Sequence, residues 1–298
     1  PVGDIRLELR IEELSGGYTG ELFNADQGVG TPLAEIEALL AGEGQRLAFE
    51  PMDHRVLLGT EGVPTIGGVV AANVSGPRRV QAGAARDFTL GARFVDGTGR
   101  IVKNGGRVMK NVTGYDLVKL MTGSWGTLGV LTEVALKVLP AAEASATVAV
   151  SGLDDAAAIA ALSAALGSPY DVNGAAFMGG TALVRVAGFH SQIAHRVPAL
   201  SETLAPFGAV EVIKDDASDA LWRDVRDVAP FHGGSEAVWR VSVKPTDGPK
   251  LVEAIRQSGE FEAVYDWGGG LVWLRTPDMG DAGAATIRAQ TAMRGGHA

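Results

Sequence analysis

Apolar and polar residues alternate with two periods along this chain, and the change of period marks its elements. Residues 5–14 (IRLELRIEEL) alternate apolar with charged residues, which predicts a strand, although the glutamates also suit a short helix. After Thr31-Pro32, an N-cap followed by proline at the first helical position, leucines and Ile36 repeat on one face. This second pattern predicts an amphipathic helix that ends near Gly42.

The stretch from Pro64 to Pro140 contains short apolar runs, and glycines lie at the boundaries between these runs. Its first half predicts a helix over residues 69–74 and a β-hairpin of residues 89–95 and 100–102, with DGTG as the turn. A loop over residues 103–111 follows. The stretch then predicts a short helix near residues 115–121 and a strand over residues 130–138. Glycines placed at joints, and not scattered as in a linker, indicate backbone folded closely around a ligand.

Two glycine blocks define the candidate binding region. Thr65-Ile66-Gly67-Gly68 opens the first helix, so its first turn can bring bare backbone against an anion or a flat ring. Glycines recur at every third residue in GSWGTLGV, which leads into the last strand of this stretch. We expect one ligand to be contacted by both blocks. Asn73, the one polar side chain predicted inside the helix, reaches either the ligand or the backbone.

The second half of the chain is richer in alanine and predicts two similar βαββαβ units. The first comprises residues 147–150, 156–166, 174–178, 182–186, 191–207 and 209–213, and the second comprises residues 237–243, 248–257, 261–266, 271–275 and 282–293. This order predicts a ferredoxin-like sheet with helices on one face. The last strand of the second unit is expected to lie beyond the end of the sequence.

Four ordered blocks carry a resemblance to a known family: TIGGVVAAN, RDFTLG, KNVTGYDLVKLMTGS and GTLGVLTEVALKVLP. Together they resemble the FAD-binding domain of the vanillyl-alcohol-oxidase type flavoproteins, and within them the small FAD-binding subunits of bacterial glycolate oxidase complexes. The resemblance runs from about Thr31 to Pro140 and continues more weakly to the end. Four blocks in order are far more specific than one glycine motif.

The resemblance implies an α+β fold: a two-part FAD-binding domain (residues 1–140), with an atypical or incomplete N-terminal part, followed by a ferredoxin-like α+β cap domain (residues 141–298). It implies FAD held non-covalently. The residues expected to bind the cofactor are Pro64, Thr65, Ile66, Gly67, Gly68, Asn73, Gly76, Lys110, Asn111, Gly114, Tyr115, Gly126, Thr127, Leu128, Gly129 and Val130. Lys110 has an alternative assignment as an exposed lysine paired with Asp116.

Composition limits the partners. The formal charge of -9 argues against nucleic acid, whose binding needs a basic face. Without cysteine the chain cannot hold an iron–sulfur cluster on its own thiolates, so any cluster must lie in a partner subunit. With no long apolar run and no signal peptide visible, we expect no membrane insertion and a cytoplasmic location, peripheral to the inner membrane only through a complex.

The N-terminal region is the part that matches the family least. Flavoproteins of this family have an earlier glycine-rich loop around the FAD diphosphate, and the only candidate here, SGGYTG at residues 15–20, does not match its usual pattern. We therefore expect this loop to be missing or altered. The sequence starts at Pro1 without methionine and stops within a predicted element, so we also expect both ends to be incomplete.

Catalytic residues are not identifiable from the sequence. The five histidines lack metal-site spacing, so no metal is predicted. His54 is expected at the surface, with a functional role as the less favoured alternative. The five tryptophans form an electron path or a ring stack in one interpretation, and core in the more common one. Arg86-Asp87 is predicted to be an ion pair.

Three functions remain open at this stage. The first is an FAD-binding subunit of a glycolate (2-hydroxy acid) oxidase or dehydrogenase complex, which relays electrons or supports assembly beside a catalytic FAD-binding large subunit and an iron–sulfur subunit. The second is a flavin-free scaffold of the same complex. The third is a self-sufficient FAD oxidoreductase acting on another hydroxy acid, which would need a base that the sequence does not reveal.

Overall fold

The computed structural model describes residues 7–14, 17–24, 28–106, 114–277 and 280–298. The chain divides into two compact units. Unit 1 comprises Pro1–Gly76 and Ala82–Ala141, and unit 2 comprises Pro77–Gln81 and Ala142–Ala298.

Unit 1 is built from short strands and short helices. Its strands are β1 (Leu7–Leu14), β2 (Gly17–Asn24), β3 (Gln45–Leu47), β4 (Thr89–Asp96), β5 (Ile101–Gly105), β6 (Gly129–Leu136) and β7 (Val138–Pro140); its helices are α1 (Leu33–Gly42), α2 (Arg55–Leu58), α3 (Ile66–Ala72), α5 (Ala85–Phe88) and α6 (Leu117–Met121). Helix α4 (Arg79–Ala82) lies at the boundary between the units. The strands pair as a β1-β2 hairpin, a β3-β7 pair and a three-stranded sheet in the order β5-β4-β6.

The predicted hairpin is confirmed, and its turn has a clear cause. Antiparallel pairing of β4 with β5 closes at Val95 and Ile101. The Asp96 carboxylate accepts hydrogen bonds from the backbone N–H groups of Thr98 and Arg100, at 2.8 and 3.0 Å, as turn-forming aspartates do. These contacts hold the pKa of Asp96 well below its usual range, with the Thr98 hydroxyl as the largest cause.

Two local predictions in unit 1 are corrected by the structure. Residues 103–105, predicted as loop, continue β5, because they pair with β4 as far as Gly91. Asp87 accepts a hydrogen bond from the backbone of Ala84 at 2.8 Å, and among the described residues no ion pair joins it to Arg86. Its carboxylate caps a helix start, as aspartate commonly does.

The core of unit 1 lies under α1 and α3. Helix α1 buries Leu33, Ile36 and Leu40, the predicted amphipathic face. These residues pack with Phe49 and Phe88, whose ring centroids are 6.1 Å apart. The core therefore fixes the position of α3, on which the candidate site depends.

Unit 2 is a seven-stranded antiparallel sheet with helices. Its strands are β8 (Ala144–Ser151), β9 (Gly174–Met178), β10 (Thr181–Gly188), β11 (Ala209–Lys214), β12 (Val238–Ser242), β13 (Glu262–Asp266) and β14 (Leu271–Arg275), in the order β11-β8-β10-β9-β13-β14-β12. Its helices are α7 (Asp155–Leu166), α8 (His190–Leu204), α9 (Asp215–Asp227), α10 (Gly248–Arg256) and α11 (Ala284–Ala292). Strands β9 and β14 have the predicted bounds.

Helices lie on both faces of this sheet, whereas the sequence predicted one covered face. Val148 and Val150 of β8 belong to the core formed with α7, α8, α10 and α11. Ala149 lies between them in sequence and points to the other face, where it packs with Trp222 of α9. Helix α9 was not predicted, because its sequence DDASDALWRDVRD has few apolar residues.

Candidate functional site

Helix α3 begins where the first glycine block predicted a helix. Thr65 is its N-cap, and the Thr65 hydroxyl accepts a hydrogen bond from Gly68 N–H at 3.3 Å. The N–H of Ile66 donates to Thr31 O at 3.0 Å, and that of Val69 to Thr65 O at 3.0 Å. Three of the first four N–H groups therefore have partners within the chain. This leaves little for an anion and favours a flat ring as the ligand here.

The two adjacent glycines have opposite surroundings. A Cβ on Gly67 would lie 2.3 Å from Val29 Cβ, so Gly67 is required by packing inside unit 1. Gly68 is exposed, and a Cβ there would meet only Thr65 Oγ1, at 3.5 Å. Of the pair, only Gly68 presents open backbone to a ligand.

Asn73 ends the helix instead of lying inside it. Its backbone is left-handed (φ 53°) at the C-cap, a conformation that asparagine tolerates better than most residues. Its Oδ1 accepts a hydrogen bond from Arg86 N–H at 2.9 Å. The predicted contact with backbone is therefore observed, and the predicted contact with the ligand stays a prediction. Gly76 is buried, and its N–H donates to Phe49 O at 2.8 Å.

The second glycine block lies directly against α3. Gly123 N–H donates to Val70 O at 3.1 Å, and Trp125 N–H donates to Ala71 O at 2.9 Å. Both blocks therefore meet at one place, as predicted for a ligand contacted from two sides. Gly126 has a positive φ of 74° and open space around it, whereas a Cβ on Gly129 would lie 2.5 Å from Val95 O.

A cavity of about 390 Å³ lies at this junction. It is lined by residues from α2, from the loops on either side of it, from α3 and from the second block: Met52, His54, Arg55, Leu58, Thr60, Gly62, Val63, Pro64, Thr65, Gly68, Val69, Ala72, Val74 and Trp125. Its size and its mostly apolar lining with a few polar groups are typical of small-molecule sites. A planar ring of a nucleotide cofactor fits such a cavity.

Only part of the predicted site lines this cavity. Pro64, Thr65 and Gly68 do, whereas Ile66 and Gly67 are buried beside it. The remaining predicted residues of the second block (Gly126, Thr127, Leu128, Gly129 and Val130) follow Trp125 and do not line it.

The loop before α6 shows no contact with the cavity among the described residues. Gly114 has a positive φ of 77°, and Tyr115 is 88% exposed. Tyr115 O accepts a hydrogen bond from Asn104 Nδ2 at 3.1 Å. Lys110 and Asn111 lie outside the described residues, so the pairing of Lys110 with Asp116 stays a prediction.

Three side chains with an aromatic ring or a charge line the cavity but were not among the predicted cofactor-binding residues. His54, expected at the surface, lines it, and so does Arg55, which forms an ion pair with Asp53 at 2.6 Å. The hydrogen bond with Asp53 raises the pKa of Arg55 above its ordinary value. Trp125 is the third. A tryptophan in a glycine-rich turn was the available signal, but the five tryptophans were treated as one group.

The other four tryptophans belong to unit 2 and have partners there. Trp222 and Trp273 are buried, and the indole N–H of Trp239 donates to Ala282 O at 2.8 Å. The guanidinium carbon of Arg79 lies 4.5 Å from the ring centroid of Trp267. The predicted structural role fits these four residues.

In the part of the chain that the structure describes, no helix combines the length and hydrophobicity needed to cross a bilayer.

Comparison with known proteins gives matches along most of the chain. Residues 21–105 match the family described as FAD binding domain. The chain is 37% identical to the glycolate oxidase subunit GlcE of Escherichia coli (strain K12) over 249 residues, which are 83% of this chain and 64% of that protein. It is 41% identical to the glycolate oxidase subunit GlcD of Bacillus subtilis (strain 168) over 85 residues, 28% of this chain and 18% of the relative. The chain thus spans less than two thirds of the length of these relatives.

Solved structures agree on the fold. An alkyldihydroxyacetonephosphate synthase superposes with a TM-score of 0.69 at 15% identity, covering 94% of this chain and 60% of that one. These matches confirm the predicted FAD-binding fold and the predicted cofactor, FAD, whereas the ferredoxin-like cap domain stays a prediction. The chain is therefore similar to the glycolate oxidase subunits, and its residues 21–105 match an FAD binding domain.

Proposed function

We propose that this chain is a non-covalent FAD-binding subunit of a glycolate (2-hydroxy acid) oxidase or dehydrogenase complex. In this proposal it relays electrons or supports assembly, beside a catalytic FAD-binding large subunit and an iron–sulfur subunit, in the cytoplasm. The relationship to GlcE and GlcD supports the complex. In this proposal the iron–sulfur cluster lies in the partner, because this chain has no cysteine thiolate to hold one.

One observation carries the flavin part of the proposal: the two glycine blocks meet at one cavity. Gly68 of the first block and Trp125 of the second both line it, and Trp125 N–H is bonded to Ala71 O on the same helix. FAD supplies an acceptor for a pair of electrons when bound. The chain's own contribution is to hold a ring of the cofactor between backbone and apolar side chains, away from water.

The proposed cofactor-binding residues follow from this geometry. Pro64, Thr65 and Gly68 line the cavity, and Gly126 to Val130 follow Trp125 outside the lining, where they would contact the part of the cofactor that extends beyond the cavity. Asn73 supports the arrangement by holding Arg86 N–H at the end of α3. Ile66 and Gly67 do not line the cavity. They are buried in unit 1 and hold α3 in place by packing.

A flavin-free scaffold subunit is the second candidate, and two observations favour it. Gly67 and Gly129 are explained by contacts with Val29 and Val95, without any ligand. Residues Gly17 to Gly20, in the one candidate for a diphosphate loop, lie in strand β2. Both candidates share the fold and the partners, so flavin content separates them.

The test is the absorption spectrum of the purified chain, followed by heat release and identification of the cofactor. The wild-type chain is expected to show flavin bands and to release FAD. Gly68→Val is expected to lose the flavin, because two methyl groups would enter the cavity, while its circular dichroism stays unchanged.

Gly97→Val is the matched control for this test. Gly97 is as open as Gly68, with no atom within 4 Å of an added Cβ and no positive φ, but it lies in the β4–β5 turn. It should retain wild-type flavin content. A colourless wild-type chain within a yellow, active complex would select the scaffold, and normal flavin in Gly68→Val would reject this cavity.

The complex is tested separately by co-purification. We expect the chain to be recovered with a histidine-bearing flavoprotein and a cysteine-rich subunit. A monomer that oxidises glycolate on its own would contradict this part of the proposal.

A further inference from the structure

Trp125 differs from every other tryptophan of the chain in its exposure. It is 75% exposed, although it is the largest apolar side chain lining the cavity. Among the described residues its indole ring has no aromatic or cationic neighbour and its indole N–H has no hydrogen-bond partner. An exposed indole in a cavity that no other described residue covers indicates surface available to a ligand.

The backbone of Trp125 is held in an unfavourable conformation. Its φ is 55°, in the left-handed region where a bulky residue is rare. Two bonds enforce this: Trp125 N–H to Ala71 O at 2.9 Å, and Thr127 N–H to Ser124 O at 3.0 Å. Strained backbone that persists because its surroundings fix it is concentrated at binding sites. Glycine would suit the turn better, so the indole itself needs an explanation.

The α3 residues that line the cavity suit a flat ring as ligand. Gly68 offers a surface without a side chain, and its N–H is already taken by Thr65 Oγ1. Val69 and Ala72 continue this wall with small apolar side chains. A planar ring in this cavity would therefore meet both the apolar surface of α3 and the indole of Trp125.

We propose that the indole of Trp125 stacks on a planar ring of the bound FAD and positions the cofactor in this cavity. The inference rests on the proposed flavin-binding function and adds to it a residue outside the predicted set. Both the isoalloxazine and the adenine of FAD are flat heteroaromatic rings with the required shape. Stacking on an aromatic side chain strengthens binding of such a ring.

The first experiment measures FAD binding by the chain freed of flavin, with tryptophan emission as the signal. FAD should quench part of the emission in the wild type, and Trp125→Phe should lose most of that quenching. Trp125→Ala should bind FAD roughly tenfold more weakly, the size expected for loss of one stacked ring, while Trp125→Phe keeps most of the affinity. FMN and ADP, titrated separately, show which ring Trp125 contacts.

Two matched variants control this experiment. Ile101→Ala removes another exposed apolar side chain of unit 1, 64% exposed and outside the cavity, and should bind FAD like the wild type. Trp239→Phe removes a tryptophan of unit 2 and should keep the FAD-dependent quenching. Trp125→Gly relieves the left-handed backbone, so its melting temperature should not fall although its FAD affinity does.

The outcomes separate this inference from the proposed function. FAD binding by Trp125→Ala within twofold of the wild type, with quenching intact in Trp125→Phe, overturns the inference and leaves the proposed function standing. Normal FAD binding with loss of a partner subunit would instead identify Trp125 as a docking residue. A fall in the melting temperature of Trp125→Gly would assign it a structural role, and a wild type that binds no FAD would overturn both proposals.

Discussion

The two units differ in how completely each covers its own apolar surface. Of the large hydrophobic side chains that are exposed in the described residues, ten belong to unit 1 and four to unit 2. Unit 2 has the larger sheet, and helices cover both of its faces. Unit 1 has small sheets and a cavity lined by apolar residues. We conclude that unit 2 buries most of its own apolar surface, whereas unit 1 leaves apolar surface exposed for a ligand or a partner.

The tryptophans make this difference measurable. Four of the five lie in unit 2, and Trp125 alone lies in unit 1. In a Trp125→Phe background, tryptophan emission therefore reports unit 2 only, while circular dichroism reports both units. The two signals together show which unit a substitution affects.

The largest expected effect on stability comes from Gly67→Val, which disrupts the packing of unit 1. An added Cβ would lie 2.3 Å from Val29 Cβ and 2.7 Å from Val29 O, so α3 must shift. We expect a loss of roughly 3 kcal/mol in the free energy of unfolding of unit 1, the upper end for overpacked cores. Urea titration followed by circular dichroism in the Trp125→Phe background measures this loss.

Gly68→Val is the neighbouring control for that prediction. It should lower the urea midpoint little, because only Thr65 Oγ1 lies near its Cβ. The unit 2 emission transition should stay at its wild-type midpoint in both variants. Equal destabilisation by Gly67→Val and Gly68→Val would show that the two glycines do not differ, and that α3 is not fixed by Val29.

This pair of glycines also shows what the sequence can and cannot predict. The glycine block correctly predicted where α3 begins and that the second block would meet it. It could not distinguish Gly67 from Gly68, because the difference depends on Val29, a residue far away in sequence. The same limit hid Trp125, whose place in the cavity is set by hydrogen bonds to the end of α3.

Elements were predicted best where glycine or proline flanks a short apolar run. Strands β9 and β14 have such boundaries and were placed correctly. Helix α9 was missed because it is acidic and buries only Ser218, Trp222 and Val225. Asn73 was expected inside a helix, but its left-handed backbone makes it the residue that ends α3. In both cases tertiary contacts, which local patterns do not contain, decided the structure.

A smaller effect is expected in unit 2, from Tyr265→Phe. Tyr265 is fully buried, and its hydroxyl donates to Asp155 Oδ2 at 2.8 Å. Removing this bond should cost about 1 kcal/mol of unfolding free energy at pH 7. Burial, with a contribution from Asp155, raises the pKa of Tyr265 far above its usual value. The folded chain therefore keeps this proton when the unfolded chain, with a tyrosine pKa near 10, releases it.

The sign of the pH dependence follows from that difference. The stabilisation by the Tyr265 proton is complete below about pH 10 and is lost as the pH rises above it, because only the unfolded state gains by releasing the proton. Between pH 10 and 11 the advantage of the wild type over Tyr265→Phe should shrink by about 1 kcal/mol. Urea titrations followed by tryptophan emission measure this. Tyr115→Phe, which removes a hydroxyl at an 88% exposed position, is the stability control and should keep the wild-type urea midpoint at pH 7. A Tyr265→Phe stability curve that runs parallel to the wild-type curve between pH 10 and 11 would mean that water reaches this phenol. The core of unit 2 would then not be closed to water, and the contrast with unit 1 would weaken.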